Sequence, residues 1–266
     1  MLELSIIIVH YRNPALLKMC LNSIYNDPPR RDFEVIVIDS QSIRESQDLM
    51  RESFPQAKLI ISAENTGYAH GVNIGLIEAR GRFIMILNYD TILIPEALDK
   101  LCDFISQRPD IGLIGPQLLN IDGTIQQSYF KYYTPMTIVA RRLWLGGFWP
   151  FKNILNDFIM IGSDPDKIQA PDWLMGAALM TSREAINKVG MMDERFYFYF
   201  EDVDWAKRFW QNDYRVIYYP AAKIYHSYGR GSKSKLGILD LFLNKKTQWH
   251  TKSAIKYFIK HKRKIK

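Results

Sequence analysis

The sequence predicts an α/β domain on a mostly parallel, doubly wound central sheet with helices on both faces. Through the first 116 residues, short and fully apolar segments alternate with amphipathic ones, the pattern of buried parallel strands joined by crossover helices. The chain has 266 residues, 47% of them apolar and 24% charged, enough for one large domain with a full core.

Each element follows from its local chemistry. LSIIIVHY (4–11) reads as a strand, with a helix over about 14–25. EVIVIDS (34–40) and KLIIS (58–62) are strands, each followed by a helix, at about 44–53 and 68–80. RFIMILN (82–88) is a strand, and Pro95, a favoured first helical residue, opens a helix to about 107. IGLIGP (111–116) completes the regular part. LLNIDGTIQQS then carries an Asp-Gly hairpin signal. Residues 129–170 are irregular and rich in aromatic residues, Arg and Pro, which suits a functional or mobile insertion. WLMGAALMTS (173–182) is an apolar segment, SREAINKVG a short capped helix, and FYFYFEDVDWAKRFWQNDY leads into another helix. YRVIYYPAAKIYHS gives two short strands.

In doubly wound sheets, ligands bind at the carboxyl ends of the strands. Those ends are polar here: His10-Tyr11-Arg12-Asn13, Asp39-Ser40-Gln41-Ser42, Glu64-Asn65-Thr66-Gly67 and Asn88-Tyr89-Asp90-Thr91. Singly, Asp39, Ser40 or Asn65 suits a helix cap. Four polar ends on one edge favour a ligand site.

The stretch FYFYFEDVDW (196–205) presses Glu201, Asp202 and Asp204 against five consecutive aromatic residues. Rings strip water from a carboxylate and raise its pKa, which makes a base usable near neutral pH. Acids at a helix start that packs on a core give the same pattern.

Charge and cysteine content narrow the function. The net charge is +7, yet residues 245–266 hold nine Lys and Arg and no acid, so the excess is confined to the tail. A nucleic-acid binder would spread that charge over a groove-facing surface, so no nucleic-acid partner is expected. Cys20 and Cys102 imply no disulfide framework and suit a reducing compartment. The first apolar run is short and lacks a basic flank, so it reads as a strand rather than a signal peptide. No apolar run reaches membrane-spanning length. HYRNPALL, after the first strand, lacks the glycine fingerprint of a dinucleotide-binding oxidoreductase.

Six segments in order, SIIIVHYRN, VIVIDSQS, ENTGYAHGVNIGLIEARG, ILNYDTIL, WLMGAALMTSREAINKVGMMDERFYFYFEDVDWAKR and YYPAAKIYHSYGRGS, resemble the family 2 glycosyltransferases, especially their bacterial rhamnosyltransferase branch. The resemblance covers about residues 4–232. It implies a GT-A fold over 1–232, with a donor-binding half to about 116 and an acceptor or catalytic half over 117–232. Residues 233–266 form a basic helical extension. It also implies inverting, metal-dependent transfer from a dTDP- or UDP-linked sugar, dTDP-L-rhamnose first, to a glycan acceptor that is lipid-linked in such families.

Site roles come from the same resemblance. Asp39 matches the residue that bonds the pyrimidine base. His10, Arg12, Asn65, Asn73 and Asn88 fall in segments that line the donor site. Asn88-Tyr89-Asp90 stands where the family carries its DxD motif, with Asn in the first place, leaving Asp90 as the main anionic ligand for Mg2+ or Mn2+. His226 matches a late metal-binding His, or is a hydrogen-bonded core residue. Glu201-Asp202 matches the acidic pair that supplies the base, with Asp202 first and Glu201 its supporter or substitute. Asp204 caps the helix or binds acceptor, and Trp173 shapes the acceptor pocket or packs in the core.

From Leu236 onward, Leu239, Phe242, Leu243, Ile255, Phe258 and Ile259 recur at helical spacing among lysines. Such a helix suits the anionic inner face of the plasma membrane, or packs on the body. Arg141-Arg142 and the 144–149 segment offer a second contact. A non-enzymatic alternative is a degenerate, transferase-like adaptor that binds membrane or nucleic acid through this tail. The presence of both Asp90 and Asp202 argues against it.

Overall fold

A computed structural model describes residues 2–142, 149–227 and 244–262. The first half runs β1 (Leu4–Tyr11), α1 (Pro14–Tyr25), β2 (Phe33–Ser40), α2 (Arg44–Ser53), β3 (Lys58–Ser62), α3 (Tyr68–Glu78), β4 (Phe83–Asn88), β5 (Thr91–Leu93), α4 (Ala97–Ser106) and β6 (Ile111–Leu119). The second half adds β7 (Ile125–Gln126), β8 (Tyr129–Phe130), α5 (Pro135–Arg142), α6 (Phe151–Phe158), β9 (Trp173–Leu174), β10 (Ala178–Ser182), α7 (Arg183–Val189), α8 (Glu201–Gln211), β11 (Arg215–His226) and α9 (Lys245–Lys262).

The central sheet has the order β3-β2-β1-β4-β10-β6-β11-β5, with β7 beside β6. The four strands from β3 to β4 are parallel, as expected from their apolar sequences. β10 enters antiparallel between β4 and β6, and β5 closes the far edge antiparallel to β11. This is the mixed α/β architecture expected for a GT-A fold.

Period-2 alternation divides the core. Ile7, Val9, Ile36, Ile38, Ile84 and Ile86 face α3, α7 and α8. Leu4, Ile6, Ile8, Val35, Val37, Met85 and Leu87 face α1, α2 and α4. All these strand residues are buried. Each fully covered aliphatic side chain contributes about 1.5–3 kcal/mol to the hydrophobic driving force.

Several elements differ from the sequence expectation. The apolar run 173–182 breaks in two: β9 pairs with β8 in a small separate sheet, and only β10 joins the central one. The two short strands expected after residue 214 are one strand, β11, whose register against β6 slips between Tyr219 and Lys223. The irregular insertion contains β8, α5 and α6. The boundary expected at 232/233, and Leu236, Leu239, Phe242 and Leu243, lie outside the described residues.

α9 docks on the same face as α8. Its buried side carries Thr247, Ser253, Ala254 and Tyr257, and Phe258 packs against that core. The Phe258 side of this helix therefore packs on the body. Ile255 and Ile259 are 55% and 57% exposed, whereas Phe258 turns toward the body. Arg141 is exposed but lies along the body, donating to the Tyr133 hydroxyl with its guanidinium over the Phe158 ring. Trp149 is exposed, and 143–148 lie outside the described residues.

Candidate active site

Strand register places the polar ends side by side. His10 pairs with Asp39 across β1 and β2, and Val9 pairs with Asn88 across β1 and β4. His10 and Asp39 are both fully buried, with Nδ1 donating to Asp39 Oδ1 at 2.7 Å. Nε2 of the same ring accepts the Asn13 N–H at 2.9 Å, which fixes the neutral tautomer. Ser42 Oγ donates to the second Asp39 oxygen. His10 is thus spent on orienting Asp39 and the loop after β1, while Arg12 at the rim is exposed with a left-handed backbone, φ 48°.

The turn before α3 is built from Asn65, whose Oδ1 accepts the Gly67 N–H at 3.1 Å. Gly67 has φ 98°, and a Cβ there would lie 2.5 Å from the Tyr197 carbonyl oxygen, so only glycine fits. Tyr197 crosses this turn: its carbonyl accepts the Tyr68 N–H and its hydroxyl donates to the Asn65 carbonyl. Asn73 lies apart from these groups. Its buried carboxamide bonds the Met192 N–H and C=O and Glu194, tying α3 to the loop after α7. The expectation that Asn73 lines the donor site is replaced by this tethering role, because the whole amide is engaged.

Asn88, Tyr89 and Asp90 form the turn between β4 and β5. Thr91 pairs with His226 across β5 and β11, and the Ser227 N–H donates to the Asp90 carbonyl at 2.9 Å. The late His therefore comes beside Asp90, with Nε2 3.5 Å from Asp90 Oδ1. Gln126 Nε2 donates to Asn120, so its Oε1 faces His226 and accepts from Nδ1 at 2.7 Å. Nε2 is the ring nitrogen on the Asp90 side. Asp90 Oδ1 is buried without a hydrogen-bond partner. An imidazole nitrogen beside a buried carboxylate oxygen that has no hydrogen-bond partner fits a divalent cation. Among the described residues no group of three or more His, Cys, Asp and Glu forms a metal-binding cluster, so such a cation would need ligands from a bound molecule.

The acidic pair opens α8. Its N-cap residue Phe200 and the preceding Tyr199 are both left-handed, φ 71° and 67°, at a cost of roughly 1–3 kcal/mol each. The strain turns Glu201-Asp202 back toward the sheet edge. Asp202 accepts the Gly176 N–H at 3.0 Å and the Val203 N–H at 2.8 Å. Gly176 sits in the turn between β9 and β10, whose next residue, Ala177, accepts the Asn88 N–H at 2.9 Å. One short backbone path thus joins the Asp202 carboxylate to the Asp90 turn. Burial raises the Asp202 pKa to about 6, against the lowering effect of those two N–H groups. Glu201 is raised well above its usual range, first by burial and then by the Asp202 charge, and its Oε2 is buried without a partner.

Tyr68, which the sequence reading passed over, lies among these groups. Its hydroxyl donates to the Gly176 carbonyl at 2.7 Å. Burial, then the nearby carboxyl groups of Glu201, Asp202 and Asp90, hold the phenol protonated far above its ordinary range. Nothing in the local sequence marked Tyr68 or Gln126, because each acts through a partner more than 50 residues away.

Two expected acceptor contacts are corrected. Trp173 is 6% exposed, donates its indole N–H to the Lys131 carbonyl and stacks on Phe130 at 4.5 Å, so it is core. Asp204 is fully buried and held by Arg208, Lys260 and His261, with no face left for a sugar.

Comparison with known proteins accords with this geometry. The model for glycosyl transferase family 2 matches residues 5–160, and that for glycosyl transferase family group 2 matches 83–252. An N-acetylglucosaminyl-diphospho-decaprenol L-rhamnosyltransferase of Mycobacterium tuberculosis is 27% identical, over 77% of this chain and 71% of that protein. A low-salt glycan biosynthesis hexosyltransferase of Haloferax volcanii is 26% identical over 77% of this chain and 61% of its own length. Among solved structures, GalNAc-T7 with UDP, GalNAc and Mn2+ superposes with a TM-score of 0.64 at 16% identity, over 85% of this chain and 44% of that one. A mannosyltransferase of Pyrobaculum calidifontis, in complex with GDP-Man and Mn2+, gives 0.62 at 20% identity, over 99% of this chain and 65% of that one. These two share the fold. The chain belongs to glycosyl transferase family 2, with a GT-A fold and a likeness to rhamnosyltransferases.

Proposed function

We propose that the protein is an inverting, metal-dependent transferase that moves a sugar, L-rhamnose from dTDP-rhamnose in the first instance, onto a hydroxyl of a lipid-linked glycan during surface polysaccharide synthesis. The observation that carries this reading is the approach of the Asp202 carboxylate to the Asp90–His226 pair through Gly176 and Asn88. The likeness to the rhamnosyltransferase supports the choice of sugar and acceptor class.

In this reading Asp39 receives the pyrimidine N3–H on a remaining carboxylate lone pair, once the Ser42 hydroxyl swings aside. Asn65 and Arg12 border the donor, and Asn88 meets its ribose. Asp90 and His226 would hold Mg2+ or Mn2+ together with the donor phosphates. Bound there, the cation would offset charge growing on the leaving diphosphate. Asp202 takes the proton of the acceptor hydroxyl as that oxygen bonds the anomeric carbon. The bond from anomeric carbon to phosphate oxygen breaks on the opposite face, and the nucleoside diphosphate leaves with the electron pair. Glu201, kept protonated by burial, leaves the negative charge of the pair on Asp202. Tyr68 holds the Gly176 turn that aims Asp202.

No helix among the described residues is long and apolar enough to cross a membrane. Lys252, Ile255, Ile259 and Lys262 form an exposed stripe on the outer side of α9. We propose that this stripe rests on anionic lipid at the cytoplasmic face, where a lipid-linked acceptor would be met.

Titration of the purified protein with dTDP and with UDP, each with Mn2+, Mg2+ or EDTA, tests the donor site. Metal-dependent binding is expected, weakened about tenfold or more, ~1.4 kcal/mol, in Asp90→Ala. No binding of either nucleotide under any condition would overturn the transferase reading in favour of an adaptor.

A further inference from the structure

We propose that α9 is a positioning element for the transfer step: it clamps the left-handed turn before α8 and the first turn of α8 itself, and so fixes where Asp202 presents its carboxylate. The inference rests on Asp202 being the base and goes beyond it, because it assigns a catalytic duty to the basic extension.

The contacts fall on the segment that aims the acidic pair. Ser253 Oγ donates to the Phe198 carbonyl at 3.0 Å, and Lys256 Nζ to the Arg195 carbonyl at 2.7 Å. The His250 ring meets Tyr199 edge-on at 5.3 Å and Phe200 at 5.2 Å, and Tyr257 packs on Phe200 at 5.4 Å. Lys260 bridges Asp193 at 2.7 Å and Asp204 at 2.6 Å, and His261 Nε2 donates to Asp204 at 2.9 Å.

Asp204 is the residue on which the clamp closes. It lies two positions after Asp202 and is fully buried. Burial would push its pKa up, yet His261 and Lys260 bring it below the usual carboxylate range. A buried carboxylate so paired is costly to unpair, so its register with α9 is firmly held. At the other end, two consecutive left-handed non-glycine residues persist only where their surroundings over-determine them. Tyr199 and Phe200 are over-determined from α9. The strain at 199–200 and the ion cluster at 204 bracket Asp202 on both sides.

Displacement of a catalytic group by about 1 Å can cost about 10²-fold in rate. Removing the clamp should therefore lower kcat and leave the donor half untouched. The test uses the full chain and four variants: Lys260→Met combined with His261→Ala, Lys260→Arg, Ser253→Ala and Asp202→Asn. Release of dTDP from dTDP-rhamnose is followed with a short-chain prenyl-diphosphate N-acetylglucosamine as acceptor, alongside dTDP affinity and hydrogen exchange.

The double variant should lose about 10- to 100-fold in kcat, with donor KM and dTDP affinity within about twofold of the parent. Exchange should rise in residues 195–205 and stay unchanged in β1, β2 and β4. Ser253→Ala should show a smaller loss of the same kind, and Lys260→Arg, which keeps the charge, should retain most of kcat. Unchanged kcat in the double variant, with Asp202→Asn inactive, would overturn the positioning role and leave the base assignment standing. Loss of kcat with raised exchange across the donor half would also overturn it, as plain destabilisation. Turnover retained in Asp202→Asn would overturn the base assignment and this inference together.

Discussion

The strand ends proposed to hold the donor and the acidic pair proposed to supply the base are positioned by different means. In β1, β2 and β4, strand register alone brings His10, Asp39 and Asn88 to one edge, and the supporting bonds are short in sequence, such as Asn13 to His10 and Ser42 to Asp39. Around the proposed base, Asp202 is held by Gly176, preceded by left-handed Tyr199–Phe200 and flanked by α9, all distant in sequence or out of regular conformation. A site at the end of a parallel sheet inherits its geometry from hydrogen-bonded ladders. A carboxylate on an added helix depends on long-range packing.

This contrast can be broken or sharpened by measurement. The largest effect is expected for Asp202→Asn, which should reduce turnover by about 10²–10⁴-fold while leaving nucleotide affinity unchanged. A parallel loss of nucleotide binding would show that the two halves are not separable. Trp173→Ala should cost about 3–5 kcal/mol in denaturant unfolding, as a truncated core aromatic does. If it left stability unchanged and raised only the acceptor KM, Trp173 would belong to the pocket after all.

The pH dependence is a smaller effect with a definite sign. The Asp202 pKa is raised in the folded protein to about 6 from the ordinary 3.8. Transfer should therefore fall as pH drops through about 6, where the proposed base becomes protonated. Stability should run the other way. The folded carboxyl holds its proton more tightly than the unfolded chain, so ionising it between pH ~4 and ~6 destabilises the fold as pH rises. Asp202→Asn should remove that loss and raise the Tm by ~2–4 °C at pH 8, with no gain at pH 4. A gain of equal size at both values would exclude a raised carboxyl as its source.

Much of the fold was legible because buried parallel strands are written as continuous apolar runs. LSIIIVHY, EVIVIDS and RFIMILN lie where expected to within a residue or two. The run 173–182 was not legible as two strands in two sheets. An apolar sequence tells that a segment is buried, and leaves open against what. Asp90 and His226 could be singled out by residue type, but their approach depends on β5 and β11 pairing across 135 residues of chain. Asp204 illustrates the opposite failure: an acidic residue near a candidate base reads as a ligand contact, and only its partners Arg208, Lys260 and His261 reveal a structural role.

By itself the sequence determined the α/β class, the sheet edge that carries the polar groups and the two carboxylates on which the chemistry is proposed to rest. Periodicity and residue type are local quantities, and those features depend on little else. The tertiary structure decided the environment of each group: which carboxylate accepts an N–H and titrates near 6, which is orphaned beside an imidazole, and which is neutralised by a distant helix. It also decided that the basic helix α9 docks on the face that carries α8, with Tyr257 and Ala254 buried there. Burial and ion pairing come from residues far apart in the chain, and no local pattern records which of them will meet.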